Sequence, residues 1–165
     1  MKKPYLFALS FVLGAMLSFS VAQAGSCAIP ENVAQLAQTA AQAMNAERAA
    51  NGRKPLHFEP RLQAAALAHA CDMANKGYFS HRSPNGTRPK ARLRRQSCRA
   101  GLVAENIAVG QTNPQELVQD WMRSPGHRKN MLLGRGVNQY GIGIARAGKA
   151  YTHGYLWVLV ISRGC

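Results

Sequence analysis

Hydrophobic positions recur at helical spacing in the first half of the chain and at strand spacing towards its end. Between residues 30 and about 50, Val33, Leu36, Ala37, Ala40 and Met44 mark one face of an amphipathic helix, with Pro30 suited to its first turn and Asn51-Gly52 ending it. A second helix is predicted over residues 60–76. It carries Leu62, Ala64, Ala65, Ala66, Leu67, Ala68, Ala70, Cys71, Met73 and Ala74 around nearly its whole circumference and stops at Gly77, so it is expected to be buried. Residues 102–109 read as a strand on which Val103, Glu105, Ile107 and Val109 share a face. Asn113-Pro114 with Glu116 has the pattern of a capped helix start, and Leu117, Val118, Trp121 and Met122 give that helix its apolar side. Ser124-Pro125 starts another short helix. Residues 137–146 and 152–162 supply two further strands. Helices come early and strands late, the order of an α+β sandwich with a small, antiparallel sheet.

The first 24 residues change this picture. Lys2 and Lys3, an apolar stretch from Tyr5 to about Val21, and Ala22-Gln23-Ala24 have the three parts of a cleavable export signal. An uncleaved anchor is the alternative, and a lipoprotein with Cys27 as its first mature residue is a lesser one. Cleavage leaves residues 25–165 as a single domain large enough for a core, with no later segment that would span a bilayer. Periplasmic and fully secreted destinations are both compatible with the signal, and a monomer is expected.

Four cysteines remain after cleavage, and an even number in an exported domain points to two disulfides. Sequence leaves three connectivities open. The expected one pairs Cys27 with Cys165, tying the mature termini, and Cys71 with Cys98, tying a helix to a long loop.

The 21 lysines and arginines against 7 acidic residues give a strongly basic chain. Nucleic acid is not an expected partner outside the cytoplasm, so cell-wall polymers, lipopolysaccharide or anionic lipid headgroups are the partners such a charge would attract. Arg88, Arg92, Arg95 and Arg99 fall at spacings that put them on one helical face, a candidate anionic-ligand patch. A merely solvated face is the plainer reading.

No G-x-S-x-G elbow, H-E-x-x-H pair or P-loop occurs. The candidate chemistry rests on separated polar residues. His81 follows an aromatic pair in a loop, Glu105 sits among apolar neighbours on its strand, and His127 falls third in the helix after Ser124, where the helix dipole disfavours the imidazolium. Two neutral imidazoles near a carboxylate would suit a divalent metal such as zinc or acid/base work. Structural histidines and a hydrogen-bonded carboxylate are the alternatives. His57, His69 and His153 carry no such signal: a loop residue, a helix residue among alanines, and a strand-edge residue.

Several stretches, taken together and in order, resemble the CAP superfamily (the SCP domain) in its bacterial branch. They are Asn45-Ala46-Glu47-Arg48 with Pro55-Leu56, Leu62 through Ala70 to Asp72-Met73-Ala74, Tyr78-Phe79-Ser80-His81 with Pro84-Asn85-Gly86, and Ala104-Glu105-Asn106-Ile107-Ala108 with Gly110. Trp121-Met122-Arg123-Ser124-Pro125-Gly126-His127-Arg128 with Asn130-Met131-Leu132, and Gly141-Ile142-Gly143 before a strand with Tyr155 and Trp157, complete the series. The resemblance implies a three-layer α-β-α sandwich around a central antiparallel sheet, with a cleft where His81, Glu105 and His127 meet. It also implies that the histidines hold a divalent ion where one binds, supported by Glu105, and it places Ser124 and Asn106 beside the cleft. Ser124 stands where animal members have a second acidic residue, which leaves a three-member site.

The expected function is therefore that of an exported binding protein engaging an envelope or extracellular ligand through its cleft and basic surface. A metal- or histidine-dependent hydrolase using His81, Glu105 and His127 is the first alternative, and a lipid or sterol carrier the second.

Overall fold

The protein is described by a computed structural model that covers residues 27–165 apart from residues 135, 149 and 152. The expected export signal and cleavage site lie outside the described residues. The chain forms helices α1 (Val33–Ala50), α2 (Pro60–Lys76), α3 (Pro89–Arg95), α4 (Pro114–Arg123) and α5 (Pro125–Met131). The strands are β1 (His57–Phe58), β2 (Leu102–Val109), β3 (Gln139–Arg146) and β4 (Tyr155–Arg163), in the sheet order β1-β3-β4-β2. The three long strands run antiparallel, as expected. The two-residue β1, which carries no alternating pattern of its own, adds to β3 in parallel, so the sheet as a whole is mixed.

The period of two along β4 divides the core. Trp157, Leu159 and Ile161 face the layer of α1, α4 and α5, packing with Leu36, Met44, Leu117, Trp121 and Met131. Leu156, Val158 and Val160 face α2 and α3, packing with Leu62, Ala66, Ala70, Met73 and Leu93. The result is the α-β-α sandwich.

Helix α2 begins and ends where the sequence predicts, with the Glu59 carboxylate accepting the Arg61 amide and Gly77 closing it in the left-handed region at φ 65°. It is buried on one face only, through Leu62, Ala65, Ala66, His69, Ala70 and Met73, while Ala68 is exposed and Ala64 and Leu67 are half-buried. Its all-round apolar character has a different reason from full burial: small side chains let it lie very close to the sheet. A Cβ on Gly141 would sit 2.1 Å from the Gln63 nitrogen, and one on Gly143 would sit 2.1 Å from the Leu67 nitrogen. Alanines on α2 and two glycines on β3 are one packing solution.

The disulfides pair differently from expectation: Cys27 with Cys71, and Cys98 with Cys165, at Cα separations of 5.2 and 4.9 Å. The sheet register explains the second bridge. Leu102 pairs with Arg163 in the antiparallel β2-β4 ladder, so the chain entering β2 runs beside the chain leaving β4. The first follows from the Arg146 amide donating to the Ala28 carbonyl at 2.7 Å, which sets residue 27 at the end of β3, over the C-terminal turns of α2.

Asn45 and Arg48 turn out to be scaffold residues. The Asn45 side chain exchanges both hydrogen bonds with the Leu56 backbone. Arg48, fully buried, donates to the carbonyls of Lys54, Met131 and Leu133, joining α1 to the end of α5.

Candidate functional site

Edge strand β2 carries Glu105 on the face towards α2 and α3, as its period of two requires. The Glu105 side chain is 2% exposed and both of its oxygens are engaged. Oε2 accepts from Arg92 Nη2 at 2.7 Å, and Oε1 lies 2.9 Å from His81 Nδ1. A carboxylate this deep is tolerated because a guanidinium buried beside it compensates the charge. Arg92 also donates to the carbonyls of His81 and Thr87, which fixes the loop between α2 and α3 against β2.

Beneath this pair lies a histidine that reads in the sequence as a helix residue among alanines. His69 on α2 is completely buried, donates from Nε2 to the Ser80 carbonyl at 3.0 Å and comes within 3.8 Å of Glu105 Oε1. Burial holds its pKa below the ordinary histidine value, against the attraction of Glu105, so it is neutral at pH 7. Tyr78 extends the network, its hydroxyl donating to Asp72 and lying 3.1 Å from the Ser83 hydroxyl. Burial and the Asp72 bond push the Tyr78 phenol up to about 12. Burial raises the Asp72 carboxyl, but hydrogen bonds from Lys76, Tyr78 and Ser83 outweigh it and leave the pKa low. The spacing does contain a signal for His69: it lies on the stripe of Leu62, Ala65, Ala66, Ala70 and Met73, the one imidazole on an otherwise apolar face.

His127 arrives from the opposite layer, third in α5 as predicted, with Ser124 as the preceding cap residue. Its carbonyl accepts from Asn106 Nδ2 at 3.1 Å, and its ring lies against Trp121 with centroids 6.4 Å apart. Its pKa is lowered by burial first and then by the nearby His81. His81 and His127 line one open cleft of about 460 Å³ over the edge of β2, with Phe79, Arg82, Arg88 and Ile107. Since Nδ1 of His81 is held by Glu105, its Nε2 is the nitrogen left for a ligand.

Of the residues expected beside the cleft, Asn106 is buried below it. It binds the His127 carbonyl and accepts from Asn130 at 2.9 Å, so it positions His127 without lining the cleft. Ser124 is outside the lining too: its amide bonds back to Asp120 and its carbonyl accepts from Arg128, joining α4 to α5. The expected arginine face also resolves differently. Helix α3 ends at Arg95, so Arg99 is not on it, and Arg92 points inward to Glu105; Arg88 and Arg95 remain exposed.

The donor set decides how a divalent ion would be received. Glu105 is fully committed to Arg92 and His81, so His81 and His127 are the imidazoles that face the cleft, and no group of three or more His, Cys, Asp or Glu side chains among the described residues is arranged to hold a metal. Protein zinc sites take three or four protein donors. The residues present do not fit a resident zinc ion.

Comparisons with known proteins agree with this fold. The chain is 35% identical over 127 residues to the uncharacterized protein YkwD of Bacillus subtilis (strain 168), covering 77% of this chain and 49% of that one. It is 31% identical over 112 residues to the uncharacterized membrane protein YlbC of the same organism, covering 68% of this chain and 32% of the relative. The chain thus spans half or less of the curated relatives it matches. Among solved structures, an extracellular protein containing an SCP domain from Bacillus anthracis str. Ames superposes with a TM-score of 0.69 at 25% identity, over 84% of this chain and 45% of that one. An outer surface protein from Borrelia burgdorferi superposes with a TM-score of 0.72 at 16% identity, over 85% of this chain and 100% of that one, a likeness of fold alone. Residues 41–161 match the family described as CAP: Cysteine-rich secretory protein family, and the chain belongs to it.

Proposed function

We propose that this domain is an exported binding module whose cleft receives a small anionic group of an envelope or extracellular ligand. The observation that carries the reading is the cleft's charge. His81, His127, Arg82 and Arg88 line it, while Glu105 is turned inward and neutralised by Arg92. An anion entering there meets imidazole and guanidinium donors with no carboxylate facing it. The export signal read in the sequence and the extracellular SCP-domain relative support the location. No helix among the described residues is long and apolar enough to cross a membrane.

The test is calorimetric titration of the oxidised domain, residues 25–165, with a hexose monophosphate, beside a His81→Ala/His127→Ala double variant. Saturable binding that the double variant loses while melting like the wild type supports the cleft. Equal binding in both proteins refutes it.

A second reading, a hydrolase, is favoured by one feature. Glu105 on His81 Nδ1 is the orienting half of a general-base pair, with Nε2 left to take a proton. Hydrolysis of an activated ester that His81→Ala abolishes would establish it, and no turnover above the variant's would remove it.

A further inference from the structure

Between Asp72 and Glu105 the chain carries eight lysines and arginines and no acidic residue. Two of the eight are spoken for, Lys76 by Asp72 and Arg92 by Glu105. The other six, Arg82, Arg88, Lys90, Arg94, Arg95 and Arg99, are exposed. They cluster around one short helix, in greater number than the three, Arg53, Arg128 and Lys129, that edge the recess beside α5. The segment from 82 to 99 borders three concavities: the cleft, with Arg82 and Arg88; a recess of about 200 Å³ edged by Arg95 and Gln96, where Asp72 is paired with Lys76; and a broad one of about 680 Å³ edged by Arg94, Ser97 and Arg99. Helix α3 has seven residues and is therefore about 10 Å long, so the three concavities lie within reach of one extended ligand.

We propose that this segment is a docking track for a linear polyanion, a phosphate-bearing polymer, that winds around α3 and reaches the cleft at one end. The arrangement of the cations selects the polymer over a flat anionic bilayer. Five of the six, all but Lys90, line recesses on different sides of one helix, which a thin chain can follow and a plane cannot. The large exposed hydrophobics among the described residues, Ile29, Phe58 and Phe79, do not form a patch that would enter a bilayer, since only Phe79 adjoins the segment. Several fixed positive charges beside one another bind a polyanion by displacing its counterions, so affinity falls with salt in proportion to the number of contacts. The proposal goes beyond the cleft reading and is tested on side chains outside the cleft.

The experiment uses inorganic polyphosphate as the probe, with phosphatidylglycerol vesicles as a separate arm, and measures affinity across a salt series. Three proteins are compared: the wild-type oxidised domain, R94A/R95A/R99A, and R53A/R128A/K129A, which removes the same charge from the recess beside α5. The expected result is that the α3 triple variant weakens polyphosphate binding by about tenfold or more and makes its salt dependence shallower by about two to three contacts. The α5 triple changes both little, and hexose monophosphate binding is unchanged in the α3 triple. R94K/R95K/R99K, which keeps the charge, retains most of the affinity and guards against a folding artefact. Equal losses in the two alanine triples would reduce the effect to net charge and overturn the proposal. So would vesicle binding without polyphosphate binding, or no binding to either. Loss of hexose monophosphate binding in His81→Ala/His127→Ala with polyphosphate binding intact separates the cleft reading from this one.

Discussion

His81 Nδ1 lies 2.9 Å from Glu105 Oε1, while the same carboxylate takes Arg92 Nη2 at 2.7 Å on its other oxygen. His81 is half-exposed, with 53% of its side chain accessible, whereas Glu105 and Arg92 are buried. One member of the trio is therefore open to the cleft and two hold it in place. Removing each should have a different consequence.

Glu105→Gln strands the Arg92 guanidinium without its counter-charge and should cost about 3–5 kcal/mol in urea unfolding. Glu105→Leu combined with Arg92→Met should recover much of that loss, because a buried pair replaced by apolar groups of similar size is often neutral. His81→Ala should cost less than about 1 kcal/mol, as a mostly exposed side chain. A large loss in His81→Ala with a small one in Glu105→Gln would reverse the assignment.

His69 sets a pH dependence. Its folded pKa is below the unfolded value because burial disfavours the imidazolium, with Glu105 and Asp72 opposing and Arg92 reinforcing that shift. Between the two pKa values the unfolded chain binds more protons. Stability from this group is therefore complete above the unfolded value of about 6.5 and is lost as pH falls below it, by at most about 1.4 kcal/mol per pH unit. His127 shifts in the same direction and adds to the slope. Melting between pH 7.5 and about 5 should show the decline, and His69→Gln should flatten it while lowering stability throughout. A wild-type melting temperature that rises on acidification across this window would contradict the assignment.

Gly143→Ala should destabilise by about 3 kcal/mol or more, since the new Cβ would meet the α2 backbone at Leu67 and Ala66 and neither can move without the sheet. Gly126→Ala, where nothing lies within 4 Å, is the matched control within α5 and should be neutral or stabilising by up to about 1 kcal/mol. Urea denaturation of both variants measures the contrast.

Peptide mapping of the oxidised domain by mass spectrometry should recover Cys27 joined to Cys71 and Cys98 joined to Cys165. Cys71→Ser should cost about 2–5 kcal/mol. Recovery of Cys27 joined to Cys165 would contradict the register argument for the second bridge.

The fold was largely legible because its elements carry local signals. Helix α2 is bracketed by Pro60 and Gly77, β2 by its alternation, and α4 by Asn113, whose side chain accepts from Gln115 and Glu116. Strand β1 was not legible, since two residues carry no period and its pairing depends on where β3 lies. The site was legible as residue types and the family resemblance, with His81, Glu105 and His127 brought to one edge strand. What the pattern did not show was the direction of Arg92. Among basic neighbours it reads as part of a solvated face, and only the packing of α3 against β2 turns it inward to Glu105. Disulfide pairing failed for the same reason, because it reports proximity across the sheet and not spacing along the chain.

The central claim is that the cleft recognises an anion through His81 and His127 directly, with Glu105 supporting His81, Asn106 supporting His127, and no resident metal. Its most direct test follows the imidazole resonances of both histidines by NMR while metal-stripped protein is titrated with a hexose monophosphate, then repeats the titration with one equivalent of zinc. The account predicts that both imidazoles respond in the metal-free protein and that zinc leaves the affinity unchanged. A response that appears only with zinc present would contradict it.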